Sequence, residues 1–145
     1  MIDYRYCMVD IETLGTRPGD TVLSIGACMF TPEKVTEKFY VTISSVSSNE
    51  AGLRAQRSTI DWWSKQSAEA KAAAFKGEFP LDVALDKFTA WLGNAETTLM
   101  YGNGANFDNA LLGAIYRAVK KEVPWKFWND RCYRTLAAMF LDTRI

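Results

Sequence analysis

Apolar positions follow two rhythms along this chain, one of strands and one of helices. Tyr4 to Val9 is a mostly apolar run that leads into Asp10-Ile11-Glu12, the pattern of a buried strand. Leu14 to Asp20 contains Gly15, Pro18 and Gly19 and reads as a loop. Thr21 to Phe30 is apolar again, and Thr31-Pro32-Glu33-Lys34 is a turn. Val35, Glu37, Phe39, Val41 and Ile43 share one face of a third strand. Short turns between three such runs predict an antiparallel meander.

The rhythm then changes. Ser44 to Ser58 is polar and is expected to be a loop, with Ser58 or Thr59 capping a helix through Asp61 and Trp62. Ser67 is placed to cap a helix over Ala68 to Phe75, with Glu69 in its first turn. Apolar residues at 81, 84, 85, 88, 91 and 92 have helical spacing, and Gly93-Asn94 stops that helix. Thr97 to Tyr101 is a fourth strand, Gly102 to Gly104 a loop and Phe107 to Val119 an amphipathic helix. Arg131 to Thr135 is expected to be a fifth short strand before a helix from Leu136. Strands followed by alternating helices and strands predict an α/β fold: a mixed sheet with helices packed on it.

Composition changes this picture little. The 145 residues are 48% hydrophobic and 23% charged, suiting one domain with a real core. No internal repeat or long linker divides them. Lys+Arg and Asp+Glu both number 17, which disfavours a strongly basic nucleic-acid binder but not a nuclease that faces phosphate with cations. Cys7, Cys28 and Cys132 are read as reduced thiols of a cytoplasmic protein, the first two as small core residues. No apolar run is long enough for a transmembrane helix, and the N-terminus lacks a signal-peptide pattern. The chain has no histidine, so either its chemistry uses other groups or the chain is incomplete.

The acidic residues carry the functional argument. Asp10 and Glu12 are two apart on one strand, so both carboxylates point the same way. They repel, and a hard divalent cation such as Mg²⁺ or Mn²⁺ would relieve the repulsion. An isolated pair of this kind is more often an exposed acidic strand end. Asp108 opens a helix directly after the fourth strand, where the helix dipole alone would favour it. Asn106 could cap that helix, with Phe107 packed beneath. If the first and fourth strands are neighbours, Asp108 faces Asp10. Three carboxylates at one sheet end suit two-metal phosphoryl chemistry, with ions roughly 3.5–4 Å apart. No glycine-rich phosphate loop with lysine is present.

Asp10-Ile11-Glu12-Thr13-Leu14-Gly15 resembles the first motif of the DEDD-family 3′→5′ exonucleases, and Asn103 to Asn109 resembles their second. Ser58 to Trp63 with Gln66, and Lys126 to Asn129 with Arg131, Arg134 and Thr135, resemble the phage and prophage subgroup related to exonuclease VIII. The resemblance implies a ribonuclease H-like fold and metal-dependent 3′→5′ exonuclease chemistry with two Mg²⁺ or Mn²⁺ ions. It assigns Asp10, Glu12 and Asp108 as catalytic metal ligands. It places Thr13 and Leu14 near the terminal nucleotide of a nucleic acid with a free 3′ end. Gly15, Trp62, Asn106 and Arg134 are further candidate contacts, with Trp62 more readily read as core than as a stacking ring and Arg134, like Arg131, at least as readily a solvated charge as a phosphate ligand. It also implies a later motif with a histidine and a fourth aspartate, and neither is present. Asp142 is read as a surface residue, and Cys132 as a small half-buried residue where relatives often have aspartate.

The expectation is therefore a single exonuclease-like domain over 1–145, incomplete at its C-terminus. At most one metal would be held weakly, with little or no activity, and self-association would occur through uncovered apolar surface. The rival expectation is a non-catalytic remnant that binds nucleic acid or a protein. One of Trp62 and Trp63 should enter the core and the other face a groove. Trp125, Phe127 and Trp128 are expected in the core.

Overall fold

The computed structural model describes residues 1–140. Its strands are β1 (Arg5–Thr13), β2 (Val22–Phe30), β3 (Val35–Thr42), β4 (Thr98–Gly102) and β5 (Asp130–Cys132). Its helices are α1 (Ser45–Glu50), α2 (Arg57–Ser64), α3 (Ala68–Ala74), α4 (Leu81–Leu92), α5 (Asp108–Ala118) and α6 (Tyr133–Phe140). One five-stranded sheet runs in the order β3-β2-β1-β4-β5. β1, β2 and β3 form the antiparallel meander, whereas β4 lies parallel to β1 and β5 parallel to β4.

The alternation of β1 divides the sheet into two faces. Cys7, Val9 and Ile11 are buried on one side. They pack with Met100 from β4, with Leu85, Phe88 and Leu92 from α4, and with Leu111, Ile115 and Tyr116 from α5. Fully burying one such side chain is worth roughly 1.5–3 kcal/mol, so this layer dominates the packing energy. A smaller cluster joins Leu14, Leu23, Trp63 and Ala74. Ser67 caps α3 as expected, its hydroxyl accepting the Ala70 N–H at 3.1 Å.

Several expectations need correction. The serine-rich stretch after β3 contains α1, whose cap Ser44 accepts the Ser47 N–H at 3.3 Å. Ser47 is in turn held by Leu81, whose N–H donates to its hydroxyl at 2.9 Å. That tertiary bond is invisible to local composition. Helix α2 starts before Ser58, and neither Ser58 nor Thr59 caps it. The N-cap is Gln56, whose amide is instead used on Asp20 at 2.7 Å. Strand β5 is shorter than expected, because Arg134 and Thr135 already belong to α6. Cys28 is half-buried on the open face, while Cys7 is fully buried. Phe127 and Trp128 lie outside the core, 79% and 60% exposed. A 3-10 turn over Phe127–Asn129 carries these two rings, which contact each other edge-on, and only Trp125 inserts. The expectation for Asp142 lies outside the described residues.

Candidate active site

The acidic residues gather at one end of the central strands. Asp10 and Glu12 are exposed on the open face of β1, between the buried Val9, Ile11 and Thr13. Val9 pairs with Gly102, the last residue of β4, and α5 begins six residues later at Asp108. Gly102 is required here. A Cβ on it would lie 3.0 Å from the Asp108 Cβ and would overlap the Asn109 side-chain oxygen. The missing side chain lets the first turn of α5 sit directly on the strand end, beside Asp10.

Asp108 is 2% exposed, and its Oδ1 is buried without a hydrogen-bond partner. Burial and then the charge of Asp10 push its pKa up to about 6, while backbone N–H groups of Ile11, Asn103 and Asp108 itself pull the other way. Glu12 is also raised, first by burial and then by Asp10. Asp10 thus faces a carboxylate on either side. The three do not close into a ready triad. Among the described residues, no three His, Cys, Asp or Glu side chains are drawn together closely enough to hold a metal ion. The arrangement is two acidic pairs sharing Asp10. Its buried, unpartnered Asp108 oxygen and its hard oxygen donors fit a divalent cation.

A groove of about 520 Å³ runs from this acidic end. Asp10, Glu12, Thr13, Ser58, Thr59 and Trp62 line it, with Phe107 across from them. Trp62 is 54% exposed on the groove wall, while Trp63 is buried behind it and meets it edge-on at 4.9 Å. The Trp63 indole N–H donates to the Thr13 carbonyl at 2.8 Å, which fixes the loop after Glu12.

The other expected contact residues separate here. Thr13 reaches the groove, but Leu14 is 7% exposed and packs into the small core cluster beneath. Gly15 is buried, and a side chain on it would overlap the carboxylate of Asp20. Asn106 is exposed and does not cap α5; the N-cap is Phe107, without a side-chain bond. Arg134 is exposed and donates to the Asn103 carbonyl at 3.1 Å, so it stands over the loop that precedes Asp108. Arg131 is engaged with backbone carbonyls of Trp128 and Asp130. Cys132 is half-buried, and its thiol pKa is lowered to about 7, chiefly by a hydrogen bond with the Thr135 side chain.

Sequence reasoning missed Ser58 and Thr59 as groove residues. It also missed Asn109 and Asp130, which meet through an Nδ2-to-Oδ1 hydrogen bond of 2.8 Å. The first two occur within the resemblance to the phage subgroup. The second pair is 21 residues apart and gives no local signal.

The model of the 3′-5′ exoribonuclease Rv2179c-like domain matches residues 5–145. The chain belongs to this exonuclease family. An exodeoxyribonuclease of Enterobacteria phage T4 is 26% identical over 164 residues, covering 94% of this chain and 72% of the phage protein. Among solved structures, E. coli exonuclease I in complex with a dT13 oligonucleotide matches 90% of the chain at 16% identity and a TM-score of 0.63. The zinc-bound form of the E. coli exonuclease I–single-stranded DNA complex matches 96% at 15% identity and a TM-score of 0.67. The chain covers only 27% and 30% of those two proteins. At such identities the likeness shows the fold, the ribonuclease H-like exonuclease sheet with its flanking helices. The Rv2179c-like family therefore agrees with both the motifs and the architecture.

Proposed function

We propose that this domain removes nucleotides from the 3′ end of a nucleic acid by metal-dependent phosphodiester hydrolysis. The observation that carries the reading is the position of Asp10 between Glu12 and the buried Asp108 at one sheet end, with Asp10 and Glu12 lining an aromatic-walled groove. Asp10, Glu12 and Asp108 would hold Mg²⁺ or Mn²⁺, which supplies Lewis-acid stabilisation of the phosphate and an activated water when bound. The chain's own residues do the rest. Trp62 offers a ring face to a terminal base, and Thr13 lines the groove between that ring and the carboxylates. Arg134 stands beside the Asn103–Asn109 loop as a candidate phosphate contact. The nucleic acids in the exonuclease I complexes support a single-stranded substrate.

A role in binding nucleic acid without cutting it is the second reading, favoured by the spread of the described carboxylates into two pairs rather than one cluster. A 3′-labelled oligonucleotide assay with Mn²⁺ separates the two. The comparison is between the 145-residue chain, its Asp10→Ala variant, and a version extended by a segment bearing histidine and aspartate. Weak cleavage that rises with the extension and vanishes with Asp10→Ala supports the enzyme. Binding without cleavage in every version supports the second reading. Three free cysteines fit a reducing, cytoplasmic setting.

The open face of the sheet also carries an apolar groove of about 650 Å³ lined by Tyr6, Met8, Phe30, Tyr101, Tyr133 and Leu136. Glu33 and Lys34 at its edge would let two copies meet with unlike charges opposed, which supports self-association through this face. Light scattering of wild type and Leu136→Glu checks it: the variant should be monomeric at concentrations where wild type is dimeric.

A further inference from the structure

Asn109 follows Asp108 in the first turn of α5 and is 4% exposed. Its amide nitrogen donates twice, to the Met100 carbonyl at 2.9 Å and to Asp130 Oδ1 at 2.8 Å. Only the NH₂ end of the amide can serve two acceptors, so its orientation is settled by its partners. Asp130 Oδ1 also accepts the Trp125 indole N–H at 2.7 Å. One carboxylate oxygen therefore ties α5, the start of β5 and a core tryptophan to the carbonyl row of β4. The Asn109 Oδ1 fills the space where Gly102 lacks a Cβ.

We propose that Asn109 and Asp130 form a positioning pair that sets the carboxylate of Asp108 beside Asp10. The claim rests on the reading of Asp10, Glu12 and Asp108 as cation ligands. The lever is short. Asn109 is bonded to the neighbour of Asp108, and its two hydrogen bonds fix the first helical turn against both β4 and β5. Without them, the turn keeps its local backbone bonds, such as the Asp108 N–H to the Gly104 carbonyl at 3.1 Å, and the apolar contacts further along α5 through Leu111, Leu112 and Ile115. Those interactions secure the helix but no longer tie its first turn through a side chain to both β4 and β5. A cation site is sensitive to such freedom, because its donors must meet within tenths of an ångström. Asp130 has a second reason to be present: it gives the buried indole N–H of Trp125 an acceptor, which an apolar residue would not.

Calorimetric Mn²⁺ titration of the 145-residue chain tests the pair. Asn109→Ala and Asp130→Ala should weaken binding by roughly tenfold or more, as loss of a supporting residue around a metal typically does. Asp130→Asn keeps an acceptor oxygen and should retain most of the wild-type affinity, including where Asn109→Ala fails to fold. Leu85→Ala, a core change far from the pair in sequence and fully buried, should lower the melting temperature and leave Mn²⁺ affinity unchanged. Wild-type affinity in Asn109→Ala and Asp130→Ala, with binding lost in Asp10→Ala, would overturn the positioning role and keep the carboxylate site. Equal weakening in Leu85→Ala would reduce the effect to general stability and also overturn it. Undiminished binding by Asp10→Ala would remove the carboxylate reading itself, and the positioning pair with it.

Discussion

The two faces of β1 differ sharply, although one nine-residue strand supplies both. Cys7, Val9 and Ile11 look into the helices and are at most 5% exposed. Tyr6, Met8, Asp10 and Glu12 look the other way, and the last two are exposed. One face holds the fold and the other offers its carboxylates to solvent. The period of two makes this division possible: a strand can be core and site at once without either role displacing the other. It also places charge next to the most rigid part of the domain. Acidic groups that repel each other are best held by backbone that cannot yield, and the pairing of β1 with both β2 and β4 supplies that.

Exchanging the faces should break the comparison most severely. Val9→Asp puts an unpaired carboxylate among Leu111, Ile115 and Met100, at a cost of more than about 3 kcal/mol. Met8→Asp, one residue earlier on the open face, should leave the fold intact. Urea denaturation of both variants checks this, with little folded Val9→Asp expected and near-normal cooperative unfolding for Met8→Asp.

The next effect concerns Asp108, the one carboxylate of the site that is buried. Its pKa rises from the unfolded value of 3.8 to about 6 in the folded chain. The folded state therefore binds the proton more tightly, and this contribution to stability is complete below about 4. It is lost as pH rises through 6, so metal-free protein should weaken across that window. Glu12, also raised, acts in the same direction. Asp108→Asn should remove most of the dependence and stabilise the metal-free protein at pH 7 by roughly 1–3 kcal/mol. Melting temperatures measured from pH 4 to 7.5 check the sign.

Smaller effects sharpen the contrast between the two tryptophans of α2. Trp62→Ala should weaken oligonucleotide binding by about 1–2 kcal/mol and hardly change stability, since its ring is half in solvent. Trp63→Phe should do the reverse, because it removes the N–H bonded to the Thr13 carbonyl, worth about 1 kcal/mol. Fluorescence anisotropy and thermal melts read the two outcomes separately. Smallest of all, Ser67→Ala removes the cap of α3 and should cost about 0.5–1 kcal/mol with no change in binding.

Much of this was legible from the chain alone, for physical reasons that differ by element. The meander and α4 announce themselves through alternation and helical spacing, because burial on one side imposes both. Asp10 and Glu12 follow from the same alternation. Asp108 needed the neighbouring of β1 and β4, which element order suggested and the parallel ladder provides. Other features depend on partners distant in sequence. Helix α1 is serine-rich and held partly by Leu81. Phe127 and Trp128 are apolar yet turned outward by a short 3-10 segment. Leu14 is adjacent to the site in sequence but serves the core, and its side chain is recruited by Trp63 and Leu23 rather than by the groove. Asn109 and Asp130 become a pair only when α5 and β5 meet on β4.

Paramagnetic broadening tests the shared cation site most directly. Substoichiometric Mn²⁺ added to nitrogen-15-labelled protein should first erase amide signals of residues 9–13 and 102–109, and Asp10→Ala should abolish that pattern. Broadening centred instead on another acidic stretch, such as Asp82 and Asp86 on α4, would contradict a cation held jointly by Asp10, Glu12 and Asp108.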